Sequence, residues 1–464
     1  MKNLRILVII PSAIVLITPG MWAADWLTVS GNPQRTAWQK PEAPAAAAPG
    51  DDDDDDKSAI GIPLNKETVR RMQLLWKLKL ENQPRGMNSI FAPLIVQQIV
   101  TDRGFKELAV VAGSSGKIFA IDADLGKLFW QRDLPDAAGA ASGSNCPGGV
   151  TAVPVIQTIA GVPGRSFPRY IVHMLAGDGT LRALNLANGV DQSPPLRFLP
   201  PQANAHALNR WDSRLYTATS GQCGSAPDGV WAIDVGASER AVAHYASPGA
   251  DASVAIGKNG TVYAMTASRI VALSPENLNV RGAAELGGRG PEIPGMTPAV
   301  FDWKGRELVA AADGSGRLVL FDGAGMKELT SSPVAGIHGG LATWEDDKGS
   351  RWIYAPRRSS PDGSIAAFRV DDSDGRLRLS PVWQSRNLAS PEPPVISDGI
   401  VFALSSGRTP ILYALDAATG QELYASGTSI ASFAHSAGLT VANNRVYVST
   451  FDGTLYCFGF PLER

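Results

Sequence analysis

Polar and apolar positions alternate along most of the chain in short runs, and turns containing Gly break the runs. Residues 445–458 display the pattern in full: Arg-Val-Tyr-Val-Ser-Thr, then Phe-Asp-Gly, then Thr-Leu-Tyr-Cys-Phe. A period of two predicts a pair of strands. Asp452-Gly453 between them predicts a tight hairpin, because glycine supplies the positive φ such a turn requires. The second strand sets a small residue between large ones. The same form recurs at Ile118-Phe119-Ala120-Ile121, Leu181-Arg182-Ala183-Leu184, Val230-Trp231-Ala232-Ile233, Ile270-Val271-Ala272-Leu273, Leu318-Val319-Leu320-Phe321, Ile365-Ala366-Ala367-Phe368 and Leu412-Tyr413-Ala414-Leu415. With Leu455, the eight copies are separated by steps of 63, 49, 40, 48, 47, 47 and 43 residues. Strand-and-turn units at that spacing predict a propeller, because one four-stranded unit cannot bury its own faces and a ring of them can.

Each unit has one internal order. An inner strand carries a small residue or Pro, as in Ala92-Pro93-Leu94-Ile95. A second strand leads to a Gly turn, the repeated strand follows, and a turn such as Asp416-Ala417-Ala418-Thr419-Gly420 leads to an outer strand such as Leu128-Phe129-Trp130 or Val382-Trp383. The last unit ends near Phe460 with little room for an outer strand, while Leu74 to Leu80 reads as an outer strand standing before the first unit. The prediction is an all-β, eight-bladed β-propeller of four-stranded antiparallel blades, its ring closed by the N-terminal strand. It spans residues 73–464.

These repeats resemble those of the quinoprotein superfamily of propellers, named for pyrroloquinoline quinone (PQQ). The match rests on the strand, Asp-Gly, Leu-Tyr-Ala-Leu-Asp, x-x-Thr-Gly, x-x-x-Trp order just quoted. Trp26, Gly31, Asn32, Arg35 and Thr36 resemble the opening found before the first blade in secreted members, where it would clamp the N-terminus to the propeller. The superfamily includes dehydrogenases and an outer-membrane assembly scaffold. The resemblance therefore implies either a ligand- or protein-binding scaffold or, as the alternative, a PQQ-dependent alcohol or sugar dehydrogenase. Such dehydrogenases hold PQQ between a Trp floor and a disulfide of adjacent cysteines, with Arg or Lys on its carboxylates, Ca²⁺ or a lanthanide on its quinone oxygens and an Asp as base. This chain has no adjacent-cysteine pair and no Cys-x-x-Cys-His haem site. PQQ and Ca²⁺ remain what the resemblance implies, and the residues themselves specify no cofactor or metal.

Residues 1–24 read as a signal peptide. Lys2 and Arg5 precede an apolar core from Ile6 to Ile17 that is too short to span a bilayer. Met21 and Trp22 make an imperfect cleavage site, so an uncleaved anchor is the other reading. Residues 25–72 form the clamp and a linker expected to be disordered, with six consecutive aspartates from Asp51 to Asp56. Adjacent like charges repel and stay solvated, and a Ca²⁺ site would space its oxygens around one ion. The expected location is the periplasm or the exterior of a bacterium, with no membrane span after the leader.

A formal charge of −2 and no basic cluster argue against nucleic acid as a partner. Gly 48 and Pro 33 suit a chain rich in tight turns. Cys457 takes the small position of its strand and reads as a buried thiol. Cys146 and Cys223 stand in Gly-rich loops of adjacent units; in an oxidising compartment they could form one disulfide, although spacing alone does not bring them together. Gly113-Ser114-Ser115-Gly116 reads as a hairpin turn, not a hydrolase motif.

Functional groups of a propeller gather where loops lead into the inner strands. The candidates at the channel mouth are Asn88, Asn145, His206, Asp251, His338, Glu392 and His435. Three imidazoles facing one funnel could bind a metal or transfer protons; loop histidines bonded to backbone carbonyls are the plainer reading. The expected partner is a small molecule or an envelope protein at one propeller face, and the expected state is a monomer.

Overall fold

The computed structural model describes residues 25–40, 62–137, 146–162, 166–248, 252–287, 296–313, 315–358, 362–372, 375–434 and 438–461. Eight sheets form the ring, seven of four strands and one of five. Their inner strands are Leu94–Thr101, Val155–Ile159, Asn209–Trp211, Ala255–Ile256, Ala299–Trp303, Ala342–Glu345, Val395–Ser397 and Leu439–Ala442, which number blades 1 to 8. Within a blade, strands a to d run outward and antiparallel. Two 3₁₀ segments, Thr68–Arg71 and Cys223–Ser225, are the helical elements among the described residues.

The ring closes as the strand count required. Gln73–Lys79 is the d strand of blade 8, antiparallel to Thr454–Gly459, with Lys79 opposite Thr454 and Gln73 opposite Gly459. The N-terminal and C-terminal strands thus share the sheet of blade 8, and no seam is left open. Glu107 reinforces the junction: Asn443 Nδ2, Arg445 Nη1 and Tyr447 Oη lie 2.5, 3.1 and 3.1 Å from its carboxylate.

The small residue in the repeat has a geometric cause. Ala120 stands opposite Trp130, Ala367 opposite Trp383 and Cys457 opposite Trp76, each beside a bulge in the c–d pairing. Residues directly opposite share one face, so a large residue there would displace the indole. Each indole then crosses to the next blade. Trp76, Trp130 and Trp383 donate Nε1–H to the carbonyls of Ala123, Leu186 and Ala417 at 2.9, 2.8 and 2.9 Å. Beneath the rings lie Gly126, Gly189 and Gly420, all at positive φ, where an added Cβ would fall 2.5, 2.8 and 2.7 Å from indole carbons. The Gly of the c–d turn is therefore required twice, by its backbone and by its neighbour's tryptophan. Asp122, Asp234, Asp322 and Asp416 accept backbone N–H bonds within those turns.

The core lies between blades. One large cluster joins blades 8, 1 and 2 with blades 6 and 7. Smaller clusters fill the junctions of blades 2 and 3, of 3 and 4, and of 4 to 6. The d–a loops and b–c turns share one face, called upper here; the a–b hairpins and c–d turns share the lower face.

Candidate functional site

An edge strand exposes a row of N–H and C=O groups, and eight inner strands line the axis with such edges. Residues 25–39 take them up. Trp26 pairs antiparallel with Ile95 of blade 1 through two 2.9 Å bonds. The arm then circles the axis, and the amides of Ile156, Ile256, Val300, Thr343 and Ile396 donate to the carbonyls of Leu27, Pro33, Gln34, Thr36 and Ala37 at 2.8–2.9 Å. It leaves beside blade 7 as a parallel fifth strand, Trp38 opposite Ile396 and Gln39 opposite Ser397. The antiparallel start and parallel end put both ends of the arm toward the lower face. Asp25 marks the way in, where its Oδ1 accepts the Gln97 amide at 2.9 Å.

Blade 3 is held by side chains. Leu208 O accepts from Thr28 Oγ1 and from Arg35 Nη2, both at 3.1 Å. Arg35 also donates to Val254 O at 3.1 Å, Thr28 Oγ1 at 2.7 Å and Val29 O at 2.6 Å. Its guanidinium is fully buried among carbonyl dipoles with no carboxylate among the described residues, and burial draws its pKa down to about 9. Each signature residue of the opening now has a task. Gly31, at φ +82, lets the Trp26 ring lie against the backbone, with 3.0 Å left for a Cβ. Asn32 caps the bend through the amide of Thr36 at 3.2 Å and its hydroxyl at 2.6 Å.

The upper-face candidates are placed as follows. Asn88 is half-buried in the loop leading to blade 1, its carbonyl accepting the Ser114 hydroxyl at 3.1 Å. His206, before blade 3, has Nε2 3.0 Å from Ser220 Oγ. His338, before blade 6, is buried and donates Nε2–H to Pro391 O at 2.8 Å, with Nδ1 3.4 Å from Gly336 O. Burial, and after it the charge of Arg358, lowers the His338 pKa and keeps the ring neutral. Glu392, before blade 7, is buried, and its amide donates to Leu404 O at 2.9 Å. His338 and Glu392 therefore meet through Pro391, whereas Asn88 and His206 are tied to the b–c turns of their own blades. Asn145, Asp251 and His435 lie outside the described residues. Cys146 and Cys223 are joined in a disulfide with Cα atoms 5.4 Å apart, linking the loop that leads into blade 2 to the b–c turn of blade 3.

A flat trianionic quinone needs convergent cations and a stacking floor. The described upper-face residues supply neither a tryptophan floor nor a cluster of three metal ligands for it. Arg85 is paired with Asp136 at 2.6 Å and Arg386 with Glu422 at 3.1 Å. Among the described residues, no tryptophan stands on a d–a loop or a b–c turn. Nor does any group of three or more His, Cys, Asp or Glu converge among them to hold a cation.

The family described as outer membrane protein assembly factor BamB matches residues 73–347 and 361–459, most of the chain. The chain belongs to this family of PQQ-type β-propellers. No curated protein matches it in sequence. Among solved structures, the quinohemoprotein alcohol dehydrogenase of Comamonas testosteroni superposes with a TM-score of 0.63 at 15% identity, covering 94% of this chain and 80% of that one. BamB of Moraxella catarrhalis gives 0.55 at 18%, covering 84% and 100%. A europium-containing methanol dehydrogenase gives 0.61 at 12%, covering 94% and 98%. At such identities the likeness establishes the fold, which family members use for both assembly and oxidation.

The arm's role at the axis was not legible in advance. The opening motif suggested a clamp on the propeller, and the structure threads it through the middle. The signal was present in Trp26, Gly31 and Arg35: a large ring, a bare backbone and a long donor-rich side chain suit a crowded axis.

Proposed function

We propose that this protein is an extracytoplasmic binding scaffold, monomeric, that presents its upper-face loops to an envelope protein or small molecule. The arm carries the reading. It takes up inner-strand edges of seven blades, so the axis is filled by the chain's own backbone rather than open to a substrate. The upper-face groups are committed inward as well, with both nitrogens of His338 facing carbonyls. Such groups rigidify loops and leave surface shape for recognition. Family membership with an assembly factor is consistent with this use.

The test is a titration of purified protein with PQQ and Ca²⁺, followed by dye-linked reduction with alcohols and aldose sugars. The expected result is no binding at high micromolar PQQ and no turnover. Stoichiometric binding with turnover would overturn the scaffold reading and establish the dehydrogenase alternative. In parallel, photo-crosslinking amino acids at Asn88 and His206 should capture one discrete envelope protein or none but the chain itself if the ligand is small.

A further inference from the structure

The lower face carries an apolar patch that no other part of the described chain covers. It lies on the a–b hairpins of blades 1 and 2. Phe105 and Phe167 are 64% and 59% exposed, yet their rings meet edge to face at 5.4 Å. Val100 stands opposite Phe105 in the blade 1 hairpin, and Val162, 54% exposed, is bonded through its backbone to Ser166 beside Phe167. Arg103 covers the ring of Phe129 at 4.8 Å, and Arg169 is exposed; neither forms an ion pair among the described residues. Asp102 is the one exposed carboxylate among the described residues of these hairpins.

The same place receives the N-terminus. Asp25 is bonded to the amide of Gln97 in blade 1 and to Tyr170 in blade 2, the strands that carry the two hairpins. Seven residues separate Asp25 from the apolar run Ile6–Ile17. Fully extended they reach about 25 Å. On the uncleaved-anchor reading, a leader held in a bilayer keeps this patch within reach of the same bilayer. Projecting aromatic rings flanked by arginines that form no ion pair among the described residues suit the headgroup boundary, where rings sink into the apolar edge and guanidinium groups meet phosphate.

We infer that Phe105 and Val100 of the blade 1 hairpin and Val162 and Phe167 of the blade 2 hairpin dock this protein onto an anionic lipid bilayer, turning the upper face away from the membrane. The reading is independent of what the upper face binds.

The test uses the full chain with single environment-sensitive labels at F105C and, as a control on the upper face, M87C. Cys457 is buried and Cys146 and Cys223 are bridged, so the labels are selective. Vesicles of phosphatidylglycerol and phosphatidylethanolamine should blue-shift the label at 105 and leave that at 87 unchanged. F105S/F167S should weaken vesicle binding roughly tenfold or more, from the apolar area removed. Three outcomes would overturn the inference. One is co-sedimentation with the label at 105 still in water, which assigns tethering to the leader alone. Another is a shift at 105 that grows with protein concentration without vesicles, which assigns the patch to a second copy. The third is no vesicle binding by the full chain.

Discussion

Blade 2 is held to its two neighbours by different chemistry. On the blade 1 side, Trp130 lies on Gly189 and bonds Leu186 O, inside the largest core cluster. On the blade 3 side, the d strand of blade 2 is only Leu196–Arg197 and carries no tryptophan. There the Cys146–Cys223 bridge, a small apolar cluster and a buried polar group do the joining. In that group His173 Nε2 is 2.8 Å from Gln157 Oε1, and Arg210 faces it from blade 3. Every junction needs something that reaches from one blade onto the next. An indole does so where the c strand leaves room and the next turn supplies Gly. Elsewhere a tyrosine hydroxyl serves, as from Tyr216 to Pro275 O at 2.8 Å, or a covalent bond.

Substitutions can break this comparison, beginning with the indole. Trp130→Ala removes a large half-buried ring and its hydrogen bond and should cost about 4 kcal/mol, read as a lower midpoint in denaturant. A loss under 1 kcal/mol would show that the indole docks without stabilising. The disulfide comes next. It closes a loop of 77 residues, for which the chain-entropy account gives about 4.5 kcal/mol. Cys146→Ser with Cys223→Ser should lower stability by up to that amount, and a reducing agent should then change nothing more. The indole variant should remain sensitive to reduction, because the two junctions are separate.

The polar group at the blade 3 junction sharpens the contrast through pH. Burial, then the charge of Arg210, lowers the His173 pKa from 6.5 to about 4. A base kept neutral by burial binds its proton more readily when unfolded, so stability is full above pH 6.5 and falls as pH drops through about 4. The loss should approach about 3 kcal/mol, measured as midpoints across that window. His173→Asn should flatten the slope, while Trp130→Ala should leave it intact. The smallest effect belongs to Tyr216→Phe. Losing one hydroxyl bond across blades 3 and 4 should cost about 1 kcal/mol.

Much of this was written locally. The Asp-Gly turns, the period-two strands and the Leu-Tyr-Cys-Phe form each report on a few consecutive residues, and they gave blade number and order. The missing outer strand after Phe460 pointed to closure by Leu74 to Leu80, since a ring has to satisfy its last edge. The candidate site was less legible. His206 and His338 share a position in their repeats but stand in blades 3 and 6, and repeat position carries no information about which side chains converge. His338 turned out to be occupied by Gly336 and Pro391, carbonyls that no motif announces.

By itself the sequence determined the repeat, the strands, the turns and the closure, because hydrogen bonding between adjacent strands and the two-residue alternation of side chains are local rules. Only the tertiary structure decided that Trp26 to Gln39 fills the axis, because that path depends on inner-strand edges contributed by seven blades spread over the whole chain. It also decided that Cys146 meets Cys223 and that Phe105 meets Phe167. Those neighbours are set by how far each blade turns from the last, a quantity fixed by packing around the ring.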